Sequence, residues 1–459
     1  MADLEIPPEL LVKLAGQVVQ NPGIPVDGPT VSAWQEPSHP LANVQSKTLP
    51  ECVDYAIIGS GITGCSVAKT ILESEASRDK KVAVFEARSL ATGATSRNGG
   101  YLMSHAPTNF KRFADTFGAQ AAKEIALFCN RNLKQVYDLT VAEGLEKESH
   151  LRGVTVVTTF EEKELFDEAC EAIRMYEEAI PEKRGQHKIV DKETAKKEFN
   201  LKKTFGAITL ESHMFWPYRL VTNLWQRLLE RYAGRFSVET QTPVTSVTLS
   251  KDAKDQYPYV LATPRGTVRA AKVFHCVSGF TGYLLPKLRG PLFPCRLTMS
   301  TQKPGPQYGN RPYAWLFHVN QSYDPTTTVT AQGLFWMQQN AQSGDLFVGG
   351  DIQRLDDFLS SDDSVISADS AANLIKLLPN RIFDKGWTNP ITNSELPSAT
   401  ALHRIWSGIL SMTPDQAIAR MALGEAKPEW LPDVYLSTEK RLTDQAMGPE
   451  AALHSFFAR

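Results

Sequence analysis

Residues 54–64 read Asp-Tyr-Ala-Ile-Ile-Gly-Ser-Gly-Ile-Thr-Gly, and they restrict the fold more than any other stretch of the chain. An apolar run, Tyr55–Ile58, enters glycines at Gly59, Gly61 and Gly64. A helical pattern through Ile62, Val67, Ala68, Ile71 and Leu72 follows, then a second apolar run, Val82–Phe85, that ends at Glu86. Strand, glycine turn, helix, strand and acid in this order make the layout that a dinucleotide requires. Gly59 permits the sharp turn, Gly61 lets the backbone approach a pyrophosphate, and Gly64 allows the helix to pack closely on the strand. The helix N-terminus then turns unpaired N–H groups and a partial positive charge toward the phosphates. Glu86 lies 22 residues beyond Gly64, at a strand tip, where a carboxylate can accept both ribose hydroxyls. The chain is expected to bind an adenine dinucleotide.

Bulk composition narrows the partners. Lys+Arg 49 against Asp+Glu 51 gives a net charge of −2, so no basic field suggests nucleic acid or an anionic membrane. The longest strongly apolar stretch without a charge, Val273–Pro286, is too short to span a bilayer. The N-terminus lacks a basic start and an apolar signal core, and the final Phe-Ala-Arg is not a Ser-Lys-Leu address. The six cysteines (52, 65, 129, 170, 276 and 295) form no CxxC pair and read as thiols in a reducing compartment. A cytoplasmic location, no metal site, no nucleic-acid partner and no membrane partner are the resulting expectations. Oligomeric state is left open.

Along the chain, residues 1–50 read as an extension with one amphipathic helix, Pro8–Val19, followed by turn formers. The segment 91–100, Ala-Thr-Gly-Ala-Thr-Ser-Arg-Asn-Gly-Gly, is too rich in small residues to fill a core. Its many N–H and hydroxyl donors suit a ligand, with a surface loop as the alternative. Phe110 to Glu146 has helical spacing, Gly153–Thr159 reads as a strand, and Glu161–Glu178 reads as a charged helix. Pro217 stands where a helix begins. Short strands are expected at Phe236–Glu239, Val244–Leu249, Tyr257–Ala262, Thr267–Ala270 and Ala271–Val277, with Pro264-Arg265-Gly266 as a hairpin turn. From Pro291 to Gly350, strand-like segments alternate with aromatics, and a helix is expected near Ala368–Leu378. The fold class is therefore α/β: a Rossmann-type nucleotide domain built from separated segments, with an interleaved α+β substrate domain carrying an antiparallel sheet. The expected division is 1–50 as extension, 51–145, 230–290 and 391–459 as nucleotide domain, and 146–229 and 291–390 as substrate domain.

Ile57–Gly64, Glu86, Gly93–Gly100, Trp216–Val221 and Trp406-Ser407-Gly408 with Asp415 occur in the order seen in FAD-dependent oxidoreductases. Over roughly residues 30–415 the chain resembles the D-amino-acid oxidase/sarcosine oxidase/glycine oxidase superfamily. Within it, the chain is most similar to a fungal branch of gamma-glutamylputrescine-oxidase-like proteins. The resemblance implies that Gly59, Gly61 and Gly64 hold the pyrophosphate, with Ser60, Ile62 and Thr63 of the same turn. Glu86 would hold the adenosine ribose, followed by Ala87 and Arg88. Thr95, Ser96, Arg97, Asn98, Gly99 and Gly100 would run beside the flavin, and the Val244 backbone would meet the adenine side. Ser278-Gly279 would replace the Asn-Gly pair common near the cofactor, and Asp415 would match a family aspartate.

Two departures bear on the cofactor. No Cys precedes Asp415 in Gly408–Asp415, so FAD is expected to be held non-covalently. The family's Pro, Gly and glycine-rich opening of the last helix are replaced by Gln416–Lys427. The family reaction moves a hydride from a carbon bearing nitrogen to the flavin, with dioxygen as acceptor. His105 and Arg296 are the candidates for substrate contact or charge at the flavin. A packing histidine and a salt-bridged arginine are the competing readings, and Trp406 and Tyr313 are candidate walls or core. Three functions stay open: an amine or amino-acid oxidase, an alcohol or sugar oxidase of secondary metabolism, and a non-catalytic homologue. NAD(P) remains a possible dinucleotide on the glycine turn alone.

Overall fold

A computed structural model of the chain describes residues 7–252, 254–304, 308–377 and 402–413. Helix α1 (Pro8–Val18) starts at a proline, whose missing N–H costs nothing in the first turn. Its Leu14 and Val18 are buried against Phe293, Cys295, Leu355 and Phe358. Strand β1 (Cys52–Ile58), helix α2 (Ile62–Glu73) and strand β2 (Val82–Phe85) follow as expected. After β3 (Tyr101–Leu102) the long helical pattern is two helices, α3 (Phe110–Phe117) and α4 (Ala119–Ala142). The break falls at Gly118, whose φ of +90° no helix accommodates.

Next come β4 (Arg152–Phe160), α5 (Lys163–Ala179), β5 (His187–Asp191), α6 (Lys192–Phe199), β6 (Gly206–Met214) and α7 (Pro217–Arg231). Asp191 caps α6 by accepting from the amides of Glu193 and Thr194. Pro217 starts α7, which buries Leu220, Val221, Leu224, Trp225 and Leu228 on one face. The chain continues through β7 (Phe236–Glu239), β8 (Ser246–Leu249), β9 (Tyr259–Thr263) and β10 (Gly266–His275). The two strands expected at 267–270 and 271–277 are thus one. No glycine or proline interrupts them, and the strand changes partner partway, from β9 (Gly266–Ala270) to β1 (Arg269–His275). The remaining elements are α8 (Thr281–Leu284), β11 (Phe293–Gln302), β12 (Tyr313–His318), β13 (Ser322–Tyr323), β14 (Val329–Gln339), β15 (Leu346–Arg354), α9 (Leu355–Phe358), α10 (Ala368–Leu377) and β16 (Leu402–Met412).

Two sheets organise these elements. The first runs β7-β2-β1-β10-β9-β8, parallel through β10 and antiparallel in the β10-β9-β8 meander. The second runs β16-β11-β15-β14-β12-β4-β6-β3, with β13 on β14 and β5 on β6; only its β12–β4 pair is parallel. Strand β16, whose sequence was grouped with the nucleotide segments, pairs along its length with β11 in the second sheet. Helices α2 and α7 cover one face of the first sheet in a core holding Ile57, Val84, Leu72, Trp225 and Val238. Val53, Ile58, Phe85, Val244 and Leu261 fill the other face. A sheet buried on both faces explains why its strands read as continuous apolar runs without alternation.

The N-terminal extension is tied into this frame. The carbonyls of Ala42 and Val44 accept from Leu90 and Thr240 at 2.8 and 3.0 Å. Ser46 donates to the fully buried Glu239 carboxylate through both its N–H and its hydroxyl, at 3.0 and 2.6 Å. Arg265 closes the same carboxylate at 2.7 Å. Trp34 stacks on Phe347 with ring centroids 3.8 Å apart and donates its indole N–H to the Asn98 carbonyl at 2.6 Å. The extension therefore contacts both sheets.

Candidate functional site

The glycine turn follows the carboxyl end of β1, between its parallel neighbours β2 and β10, which is where open α/β sheets take their ligands in a crevice. The glycines behave as their spacing predicts. Gly59 has φ +103°, and a Cβ there would stand 2.4 Å from the Cys276 carbonyl oxygen. A Cβ on Gly64 would lie 2.0 Å from the Gly59 oxygen, so the helix can seat against the turn only as glycine. A Cβ at Gly61 would meet only the Thr95 hydroxyl, at 3.0 Å.

Ser60 does more than fill the position between two glycines. Its hydroxyl donates to Glu86 Oε2 at 2.7 Å and accepts from the Ala91 amide at 2.8 Å, and its own N–H donates to the same Oε2 at 3.0 Å. The Arg88 amide donates to Glu86 Oε1 at 3.0 Å. Three donors thus hold the half-buried carboxylate in one orientation before any ligand arrives. Its two oxygens offer about four acceptor positions, so with three taken a ribose hydroxyl can still be received. Trp225 donates its indole N–H to the Ser60 carbonyl at 2.8 Å, pinning the turn to α7. Sequence spacing places Trp225 on the buried face of that helix, but gives no sign that its N–H ends at the glycine turn.

At the start of α2, the Ile62 amide donates to the Thr95 hydroxyl at 2.9 Å, while among the described residues nothing accepts from the amides of Thr63 and Gly64. Those two groups, with the helix dipole behind them, are the means of meeting a diphosphate. The nearby arginines face elsewhere. Arg88, 8% exposed, makes a bidentate contact with Asp363 at 2.9–3.1 Å, and Arg97 Nε lies 3.5 Å from the same carboxylate. Arg97 also donates to the carbonyls of Thr92 and Ser407. Burial lowers its pKa to about 10, with Asp363 opposing, so it keeps its charge at neutral pH. In both candidates the guanidinium is turned to Asp363 in the interior, and the Arg88 backbone N–H meets Glu86. Ala87 lies between Glu86 and Arg88, half-buried.

The 91–100 segment is not a surface loop: Ala91, Thr95, Ser96, Arg97 and Gly100 are buried. It runs against the second sheet. Cβ atoms on Gly99 and Gly100 would fall 3.2 Å from the Trp336 ring and 2.7 Å from the Phe215 oxygen, and Gly100 has φ +72°. Asn98 holds the turn by donating to the carbonyls of Ala94 and Thr95. Ser278, at φ +52°, shares a hydrogen bond with Ser411 at 2.8 Å, and a Cβ on Gly279 would lie 3.0 Å from Pro294. Residues 278–279 are therefore where the first sheet meets β11 and β16. Val244 is buried after β7. Beside the crevice, burial pushes the Cys276 thiol up to about 12 and lowers the His275 imidazole, so neither offers a charged group there at neutral pH. Asp415 lies outside the described residues.

The two catalytic candidates do not meet. His105 is exposed in the loop after β3, at one edge of the second sheet. Arg296 is buried on β11, six strands away, roughly 30 Å along a sheet at the usual interstrand spacing. Trp406 is fully buried with its indole N–H on the Arg97 carbonyl, and Tyr313 packs edge-on to Phe199 and Trp315, so both are core. Among the described residues no cluster of His, Cys, Asp or Glu is arranged to hold a metal, and no helix is long and apolar enough to cross a membrane.

These residues fit an adenine dinucleotide: a glycine cradle that a side chain would fill, two open amides at a helix start, and a pre-oriented carboxylate. Solved structures share the architecture. Glycine oxidase from Geobacillus kaustophilus matches at TM-score 0.57 and 16% identity, over 89% of this chain and 96% of that one. The FAD-bound L-alpha-glycerophosphate oxidase from Mycoplasma pneumoniae matches at 0.57 and 15%, over 89% and 95%. The open form of NikD, described as an unusual amino acid oxidase essential for nikkomycin biosynthesis, matches at 0.53 and 14%, over 79% and 82%. No curated protein matches significantly by sequence. The family profile described as DAO, FAD dependent oxidoreductase, matches residues 54–439, and the chain is a member of that family of FAD-dependent oxidoreductases.

Proposed function

We propose that this FAD-dependent oxidoreductase removes a hydride from a carbon bound to nitrogen in a small amine or amino acid, with dioxygen as the final acceptor. The observation that carries the reading is the crevice at β1, where Glu86, Ser60 and the first amides of α2 are set for a dinucleotide. Bound FAD supplies the two-electron acceptor. The chain's own residues bind and orient: the open amides meet the diphosphate, Glu86 fixes the ribose, and the glycine-rich 93–100 segment sets the distance between crevice and second sheet. The absence of Cys in the sequence Gly408–Asp415 supports non-covalent retention. Two of the structural relatives named above, glycine oxidase and NikD, carry amino-acid chemistry in their names and descriptions, which supports the C–N reading. The Trp216-Pro217-Tyr218-Arg219 piece supports placement in the gamma-glutamylputrescine-oxidase-like branch.

A second reading, oxidation of an alcohol or sugar-like carbon in secondary metabolism, is favoured by the equal likeness to a glycerophosphate oxidase. Anaerobic titration of the purified yellow protein separates the two. Bleaching of flavin absorbance by amines or amino acids, with hydrogen peroxide released on admitting air, is the expected result. Bleaching by polyols alone transfers the proposal to the second reading. Bleaching without peroxide in air removes dioxygen as the acceptor. Protein that stays colourless with added FAD would sink both.

A further inference from the structure

A cleft of about 260 Å³ opens where the end of α1 crosses β11 and the turn after α9. It shares no lining residue with the glycine turn, Glu86 or the 93–100 segment. Arg296 forms its charged wall. Only 5% of this residue is exposed, so its guanidinium has been taken almost wholly out of water. Nη1 is anchored on the Asp362 carbonyl at 3.2 Å. Nη2 stands 3.8 Å from Asp357 Oδ1, too far for a hydrogen bond, while Nε is shielded from solvent and has no acceptor among the described residues. Nη2 is thus the nitrogen left to meet a ligand, and a guanidinium N–H is a strong donor to a carboxylate oxygen. A charged donor held in this way without a hydrogen bond gains when something fills the place.

We propose that this cleft is a binding site for a free α-amino acid. The ligand carboxylate takes Nη2 of Arg296. The ligand ammonium takes Asp357, whose side chain is 43% exposed and free to turn toward it. Two fixed charges of opposite sign select a zwitterion over a simple acid or a simple amine. Gln20 and Asn21 supply amides, and Ser360 a hydroxyl, for a short polar side chain. The volume is below that of sites for drug-sized ligands, which restricts the occupant to a small metabolite. The walls are joined to each other: the Ser361 hydroxyl donates to the Pro22 carbonyl at 2.7 Å. An occupant therefore bridges the N-terminal extension to the second sheet. The inference does not depend on which bond the flavin site oxidises, since an alcohol oxidase would carry the same cleft.

The test is calorimetric titration of the FAD-loaded protein under anaerobic conditions with glycine, L-alanine and L-serine, and with propionate as a carboxylate lacking the ammonium. Flavin absorbance is followed in parallel. At least one amino acid should bind saturably without altering the flavin spectrum. Arg296→Gln should weaken that binding about 10- to 100-fold, the range for losing a charge-assisted pair. Asp357→Asn, at an exposed side chain, should weaken it about two- to fivefold while leaving propionate unchanged. FAD content and far-ultraviolet circular dichroism report whether Arg296→Gln folds; should it not, Asp357→Asn decides. No saturable binding, propionate binding as tightly as the amino acids, or affinity indifferent to both substitutions would each overturn the proposal.

Discussion

Glu86 and Asp363 are carboxylates on either side of the same loop, and they are treated in opposite ways. Asp363 is 1% exposed and closed on all sides: two Arg88 nitrogens, the Arg97 guanidinium, and Thr30 on its backbone oxygen. Glu86 is half-buried and receives only three donors, all from residues 60 and 88. Arg88 belongs to both, giving its side chain to the sealed acid and its backbone N–H to the open one. A carboxylate with every acceptor position filled stabilises a fold, whereas one held in place with a position to spare is built to receive something. The loop between them is fixed at its sealed end so that its open end is positioned.

Breaking the sealed end should have the largest effect. Asp363→Asn leaves two buried guanidinium groups without a counter-charge, and unfolding free energy should fall by about 3–5 kcal/mol. Urea denaturation showing a loss below about 1 kcal/mol would mean the cluster is not a structural unit. Gly61→Val acts at the other end. A Cβ there crowds the Thr95 hydroxyl at 3.0 Å, so the melting temperature of the FAD-free protein should fall modestly while FAD is no longer retained through gel filtration. Full flavin occupancy in that variant would remove the turn from the diphosphate site. Glu86→Gln should cost about 1–3 kcal/mol of FAD affinity, read from flavin fluorescence on titration. An unchanged dissociation constant would take the ribose away from this residue. The smallest effect belongs to Ser60→Ala, which removes one of the three donors that orient Glu86. FAD should bind about 1 kcal/mol more weakly, and the double variant with Glu86→Gln should be no worse than Glu86→Gln alone. Additive losses would show that Ser60 does not act through the acid.

Local features were legible in the sequence because local chemistry determines them. The glycine turn, both flanking strands, Glu86, the proline-started helices and the Pro264–Gly266 hairpin each depend on residues within one turn or strand of themselves. The reading failed where a partner lies far off. The resemblance sets Arg88 and Arg97 beside the cofactor, but the anion their side chains meet is Asp363, more than 250 positions later and without any motif of its own. The small-residue loop at 91–100 reads as unable to fill a core, yet aromatic rings from the extension and the second sheet, Trp34 and Trp336, press against its glycines. Pairing His105 with Arg296 required knowledge of strand order, which no spacing in the chain contains.

The placement of β10 beside β1 has a consequence for biosynthesis. Ile58 leaves the ribosome early, and its neighbour in the ladder, His275, follows roughly 200 residues later. At ordinary translation speeds of about 5–20 residues per second, that interval lasts roughly 10–40 s. Throughout it, one flank of an apolar strand has no mate, and the nascent chain must be shielded from pairing with its neighbours on the polysome.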